Sequence, residues 1–132
     1  MLICDSSAII AATVASDRDH EWVVRQLTGR SGPLVVPAGI VAEAAFMVEQ
    51  IGGAQSLAWF AGDLADGAYL FDCGDGDFAR IIDLLADYAD LTLGFADAAV
   101  AACGERRGAP VLTLDWRDFA PLETAGVVRL IR

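Results

Sequence analysis

Met1-Leu-Ile-Cys-Asp-Ser-Ser-Ala-Ile-Ile10 joins an apolar run to one acid, two hydroxyls and the start of an Ala/Ile-rich segment. Leu2 to Cys4 reads as a short buried strand that ends at Asp5, and Ser6-Ser7 open a helical stretch through Ala15. The same alternation recurs down the chain. Ser16 is placed to cap a helix through Leu27, Leu34 to Val36 forms a second strand, and Pro37 sits where a first helical turn tolerates it. Ala38 to Ile51 then reads as a helix apolar on nearly every side, ended by Gly52-Gly53 and followed by another over Ala54 to Leu64. Ala68 to Asp72 suits a third strand, Phe78 to Tyr88 an amphipathic helix, and Ala96 to Arg107 a further helix stopped by Gly108. Pro110 to Leu114 and Val127 to Ile131 complete about five short strands. Strands alternating with helices imply an α/β fold, a mainly parallel sheet covered on both faces, whose ligands bind beyond the carboxyl ends of the strands.

The 132 residues suit one domain, and at 55% apolar they can build a core without disulfides. Nine basic against nineteen acidic side chains leave a formal charge of −10. Every cation is Arg, so chemistry that needs a lysine, such as a Schiff base or a Walker-A loop, is excluded. The acidic balance argues against a broad basic surface that grips nucleic acid by counterion release alone, and leaves room for a local Arg-lined site. Cys4, Cys73 and Cys103 show no zinc spacing and read as reduced, cytosolic and mostly buried. The start Met-Leu-Ile-Cys-Asp resembles no signal peptide, and no apolar stretch approaches the roughly 20 residues of a membrane span, so a soluble, cytoplasmic protein with no membrane partner is expected.

Asp5 and Asp115 each follow a predicted strand directly, which places both on the functional edge of a parallel sheet. Helix capping or a turn would explain either one alone. Glu43 is the only charge in Pro37-Ala-Gly-Ile-Val-Ala-Glu-Ala-Ala-Phe-Met-Val48, and Asp97 repeats that isolation in Leu93-Gly-Phe-Ala-Asp-Ala-Ala-Val-Ala-Ala-Cys103. An unpaired buried carboxylate is costly. Asp97 could sit in a first helical turn, favoured by the dipole, while Glu43 reaches solvent or an Arg. The other reading is that Asp5, Glu43, Asp97 and Asp115 converge, where their repulsion would force protonation unless a cation intervenes. An all-carboxylate pocket without His or Cys suits Mg²⁺ or Mn²⁺, which pair naturally with phosphate oxygens and can activate water against a phosphodiester.

These blocks resemble those of the PIN-domain ribonucleases. Met1 to Ile10 is similar to the family's opening, Val41-Ala-Glu43 to its helical Glu block, Tyr88 to Ala98 to its central Asp block, and Leu112-Thr-Leu-Asp-Trp-Arg-Asp-Phe119 to its last. The likeness spans almost the whole chain and is strongest to VapC-type toxins. It implies a single PIN domain over residues 1–132 with a three-layer α/β/α fold. It also implies an Mg²⁺/Mn²⁺-dependent endoribonuclease that cleaves RNA by a metal-activated water, forms homodimers and is neutralised by a cognate VapB-type antitoxin. Asp5, Asp97 and Asp115 would then hold the metal, with Glu43 direct or through water and Asp118 as a further candidate. Ser7 and Thr113 match hydroxyl positions beside those acids. Ser6 stands where the family often has Thr.

Arg106 and Arg117 are the candidate RNA contacts, although Arg106-Arg107 also complements a helix C-terminus. A non-catalytic PIN-fold module that binds RNA or protein is the competing reading. A haloacid-dehalogenase-type phosphatase would need a second Asp at position 7, and a receiver module would need a lysine. Cys73-Gly-Asp-Gly-Asp-Phe-Ala79 reads as a polar turn, because Asp75 and Asp77 would repel a pyrophosphate. His20 reads as a surface residue. Trp22, Trp59 and Phe46-Met47 read as helix packing, with part of that apolar surface available to an antitoxin helix by resemblance.

Overall fold

A computed structural model describes all 132 residues. Leu2–Cys4 forms β1, fully buried and paired on both sides, as its unbroken apolar run requires. β2 (Leu34–Pro37), β3 (Leu70–Asp72) and β4 (Val111–Leu112) complete a parallel sheet in the order β3-β2-β1-β4. The expected fifth strand over Val127 to Ile131 is reduced to one parallel bridge between Leu130 and Val111. Helices α1 (Ser6–Thr13), α2 (His20–Thr28), α3 (Ala38–Ala65), α4 (Phe78–Asp87), α5 (Phe95–Arg107) and α6 (Trp116–Thr124) cover the sheet. One core cluster gathers Ile3, Val35, Val36, Ile40, Val100 and Phe119, and a smaller one joins Leu2 and Leu112 to Ala8, Ala11 and Val23.

Several boundaries depart from the sequence expectation for local reasons. α2 begins at His20 rather than after Ser16, because Asp17 first accepts the Asp19 N–H in a turn. α3 runs past Gly52-Gly53, but Gly53 lies at φ 77°, ψ −177°, so the two expected helices meet at a sharp kink. The first half of α3 is not buried all round: Ile40, Ala44 and Val48 face the core, whereas Phe46 and Glu43 are exposed. Trp59 is likewise exposed, so neither it nor Phe46 packs inside. Cys73 is exposed, unlike Cys4 and Cys103. α6 was not foreseen, since Pro121 interrupts its pattern, yet Phe119 and Leu122 anchor it in the core. No helix is long and apolar enough to cross a membrane.

Candidate active site

Asp5 follows β1 and stands at the N-cap of α1; Asp115 follows β4 and stands at the N-cap of α6. Neither side chain makes a capping hydrogen bond, so both carboxylates are free for other partners. Asp5 is buried, and its Oδ2 accepts from Ser7 Oγ at 3.0 Å and Thr113 Oγ1 at 2.8 Å. Its Oδ1 has only a long 3.5 Å contact with Ser6 Oγ. Both hydroxyls also accept backbone N–H groups: Ser7 from Leu114 and Thr113 from Asp115, each at 2.9 Å. Two small hydroxyl residues thus clamp the exit of β4 onto the end of β1 and fix Asp115 beside Asp5. No buried side-chain polar atom is left without a partner.

Asp97 lies in the first turn of α5, where the helix dipole favours an anion. Burial nevertheless pushes its pKa up to about 6, reinforced by the charges of Asp5, Asp118, Asp115 and Glu43. Asp115 is raised as well, by burial and then by Asp5, Asp118 and Glu43. These mutual effects place Glu43, on α3, and Asp118, on α6, in the same acidic field. Sequence reasoning missed what brings α3 so close. A Cβ on Gly39, one helical turn before Glu43, would lie 2.6 Å from the Ala99 Cβ of α5, so only glycine permits this approach. The signal was present in Pro37-Ala-Gly, a glycine near a helix start with no turn to justify it.

None of the five carboxylates forms an ion pair with an arginine. As the side chains stand, no three His, Cys, Asp or Glu residues form a ready-made cage for an ion. The donor chemistry nonetheless fits a hard divalent cation: the candidate donor atoms are carboxylate or hydroxyl oxygens, and the burial and mutual repulsion that raise Asp97 and Asp115 are what such a cation would offset. The acids line neither of the two cavities; one of about 210 Å³, bounded by Pro37, Asp72, Phe78 and Phe95, lies to one side.

The two candidate RNA contacts fare differently. Arg106 is held by both oxygens of Asp77, at 2.6 and 2.9 Å, and by Asp72 at 2.8 Å, away from the five acids. Arg117, on α6 between Asp115 and Asp118, is exposed and pairs with no carboxylate. His20 is no free surface group: its Nδ1 lies 2.7 Å from the carbonyl of Ala11.

Parallel strands, acids at their carboxyl ends and a hydroxyl clamp between them define the class. The chain belongs to the PIN-domain family, whose profile matches residues 2–123. Within that family its likeness is to VapC-type members: it is 32% identical over 127 residues to Ribonuclease VapC26 of Mycobacterium tuberculosis, covering 95% of this chain and 94% of that one. The fold also matches two crystal structures. M. tuberculosis VapC20, described as a sarcin-ricin loop cleaving toxin, gives a TM-score of 0.82 at 15% identity, over 92% of this chain and 95% of that one. FitAcB of Neisseria gonorrhoeae gives 0.69 at 21% identity, over 100% and 97%.

Proposed function

We propose that this protein is a divalent-metal-dependent endoribonuclease of the VapC toxin type. What supports the reading is that Asp97 and Asp115 both feel the charges of Asp5, Glu43 and Asp118, and that no arginine compensates any of the five. Asp5, Asp97 and Asp115 would hold Mg²⁺ or Mn²⁺, with Glu43 and Asp118 supplying further oxygens directly or through water. The bound ion supplies positive charge that polarises the phosphodiester and favours deprotonation of water. The chain's own residues do the positioning. Ser7 and Thr113 donate to Asp5 Oδ2 and leave Oδ1 without a short hydrogen bond, while their grip on the Leu114 and Asp115 N–H groups sets the last acid.

A cytoplasmic setting fits three unpaired cysteines, two of them buried. The similarity to VapC26 supports a cognate VapB-type antitoxin as partner, and exposed Phe46, Ile51 and Trp59, on the two halves of α3, offer it apolar surface. Exposed Phe71, Phe78 and Ile82 offer separate apolar surface for a homodimer. The reading is tested by incubating antitoxin-free protein with cellular RNA in Mg²⁺ or Mn²⁺, beside an EDTA control. Discrete cuts that vanish with EDTA are expected. Intact RNA together with no Mn²⁺ binding would replace the nuclease by a binding module.

A further inference from the structure

A nuclease of charge −10 without a single lysine must hold RNA by something other than a basic field. Six of its nine arginines, Arg18, Arg25, Arg80, Arg106, Arg107 and Arg132, are already paired with carboxylates. The alternative source of affinity for single-stranded RNA is base stacking on an aromatic face, which does not depend on net charge. An aromatic residue adjoins one of the acids in sequence. Trp116 follows Asp115 directly and opens α6, the helix that also carries Arg117 and Asp118.

Three contacts immobilise that indole. Its Nε1 donates to the carbonyl of Ile131 at 3.3 Å, and its ring meets Trp22 edge-on at 6.0 Å and 86°. The Arg132 guanidinium lies 6.0 Å from its centroid and is itself anchored at 2.6 Å on Glu123. Trp116 still keeps 39% of its surface exposed. A rigid, exposed ring loses little rotamer freedom when a ligand stacks on it. Arg117, exposed and unpaired on the same turn, is placed to meet a neighbouring phosphate.

We propose that Trp116 is the platform on which a nucleobase of the RNA stacks beside Asp115, so that base contact rather than a basic surface positions the strand. This rests on the nuclease reading. The test titrates Asp97→Asn protein, in Mn²⁺, with a short single-stranded RNA of mixed sequence and with an abasic strand of equal length. Anisotropy reads binding and indole emission reads stacking. The RNA is expected to quench emission and the abasic strand to bind more weakly without quenching. Trp116→Leu should weaken RNA binding about tenfold and lose most of the quench, Trp116→Phe should restore much of the affinity, and Trp59→Phe should change neither. In protein that retains Asp97, cleavage assays should show Trp116→Leu raising KM with kcat little changed.

Thermal melts of Trp116→Phe, which keeps the packing against Trp22, separate stacking from folding. Equal binding by wild type and Trp116→Leu, or equal binding of the abasic strand, would overturn the platform. If wild type still cuts cellular RNA in that case, the nuclease reading stands. RNA neither bound nor cut by any of these proteins would overturn both.

Discussion

Two groups of acids in this molecule use the same side chain to opposite ends. Asp72, at the end of β3, and Asp77, before α4, are both buried and both bound by Arg106, while Arg107 also hydrogen-bonds Asp72. Burial alone would push the Asp72 carboxyl up, but the hydrogen bonds and charges of Arg106 and Arg107 outweigh it and hold the pKa below the ordinary value. Asp97 and Asp115 have no such partner, and burial together with neighbouring acids raises both. The paired group fastens β3, α4 and α5 to one another. The unpaired group stores repulsion at the sheet edge, which is what a site built to receive a cation requires and what a purely structural cluster would avoid.

The sharpest way to break this contrast is Asp97→Asn. RNA cleavage should fall by at least about 100-fold, beyond the loss typical of a residue that only supports a ligand, while the EDTA-treated protein becomes more stable at pH 7 by on the order of 1 kcal/mol. Unchanged cleavage would remove Asp97 from the site. In the paired group the sign reverses: Arg106→Met leaves buried Asp72 and Asp77 short of donors and should lower stability in urea by about 2 kcal/mol, discounted because Arg106 is partly exposed. A neutral result there would mean that Arg107 suffices for Asp72 and that Asp77 needs no cationic partner.

Thr113→Val keeps shape but deletes the hydroxyl that joins Asp5 to the Asp115 N–H, and should cost about 1–3 kcal/mol with a 10–100-fold loss of cleavage. The smallest effect is pH-dependent and is measured in EDTA. Asp97 in the folded protein titrates near 6, above the roughly 3.9 of an unfolded Asp, so the folded state takes up the proton first and gains stability as pH falls from 7 toward 4. The stability deficit of wild type against Asp97→Asn should shrink over that range. Asp72 runs the other way: its contribution is present above the unfolded value and is lost only as pH falls through its lowered folded value. A parallel shift of both proteins across pH 4–7 would refute the assignment of Asp97 as the raised group.

The acids on strand ends were legible because a parallel sheet sends every strand's carboxyl end to one edge, so Asp5 and Asp115 were placed by order alone. Glu43 stands out for its isolation among apolar residues; the helix is not buried all round, and the reading that takes Glu43 to solvent holds, because α3 packs only its Ile40, Ala44, Val48 stripe and the acid sits outside it. Small residues read as apolar on all sides when only one face is covered. α6 was hidden by Pro121, and the role of Gly39, although the glycine stands out near a helix start, by its dependence on Ala99 of α5, which lies far along the chain. Arg106 could be read as a helix-end cation but not as the partner of Asp72 and Asp77, which lie 34 and 29 residues away along the chain.

The sequence by itself determined the alternation of strands and helices and the acidity of one sheet edge, since both follow from local periodicity and from which residue terminates each strand. Tertiary structure alone decided which acids stay unpaired. Ion pairing depends on side chains brought within a few ångströms from distant positions, and composition cannot distinguish a carboxylate that meets an arginine from one that meets other carboxylates.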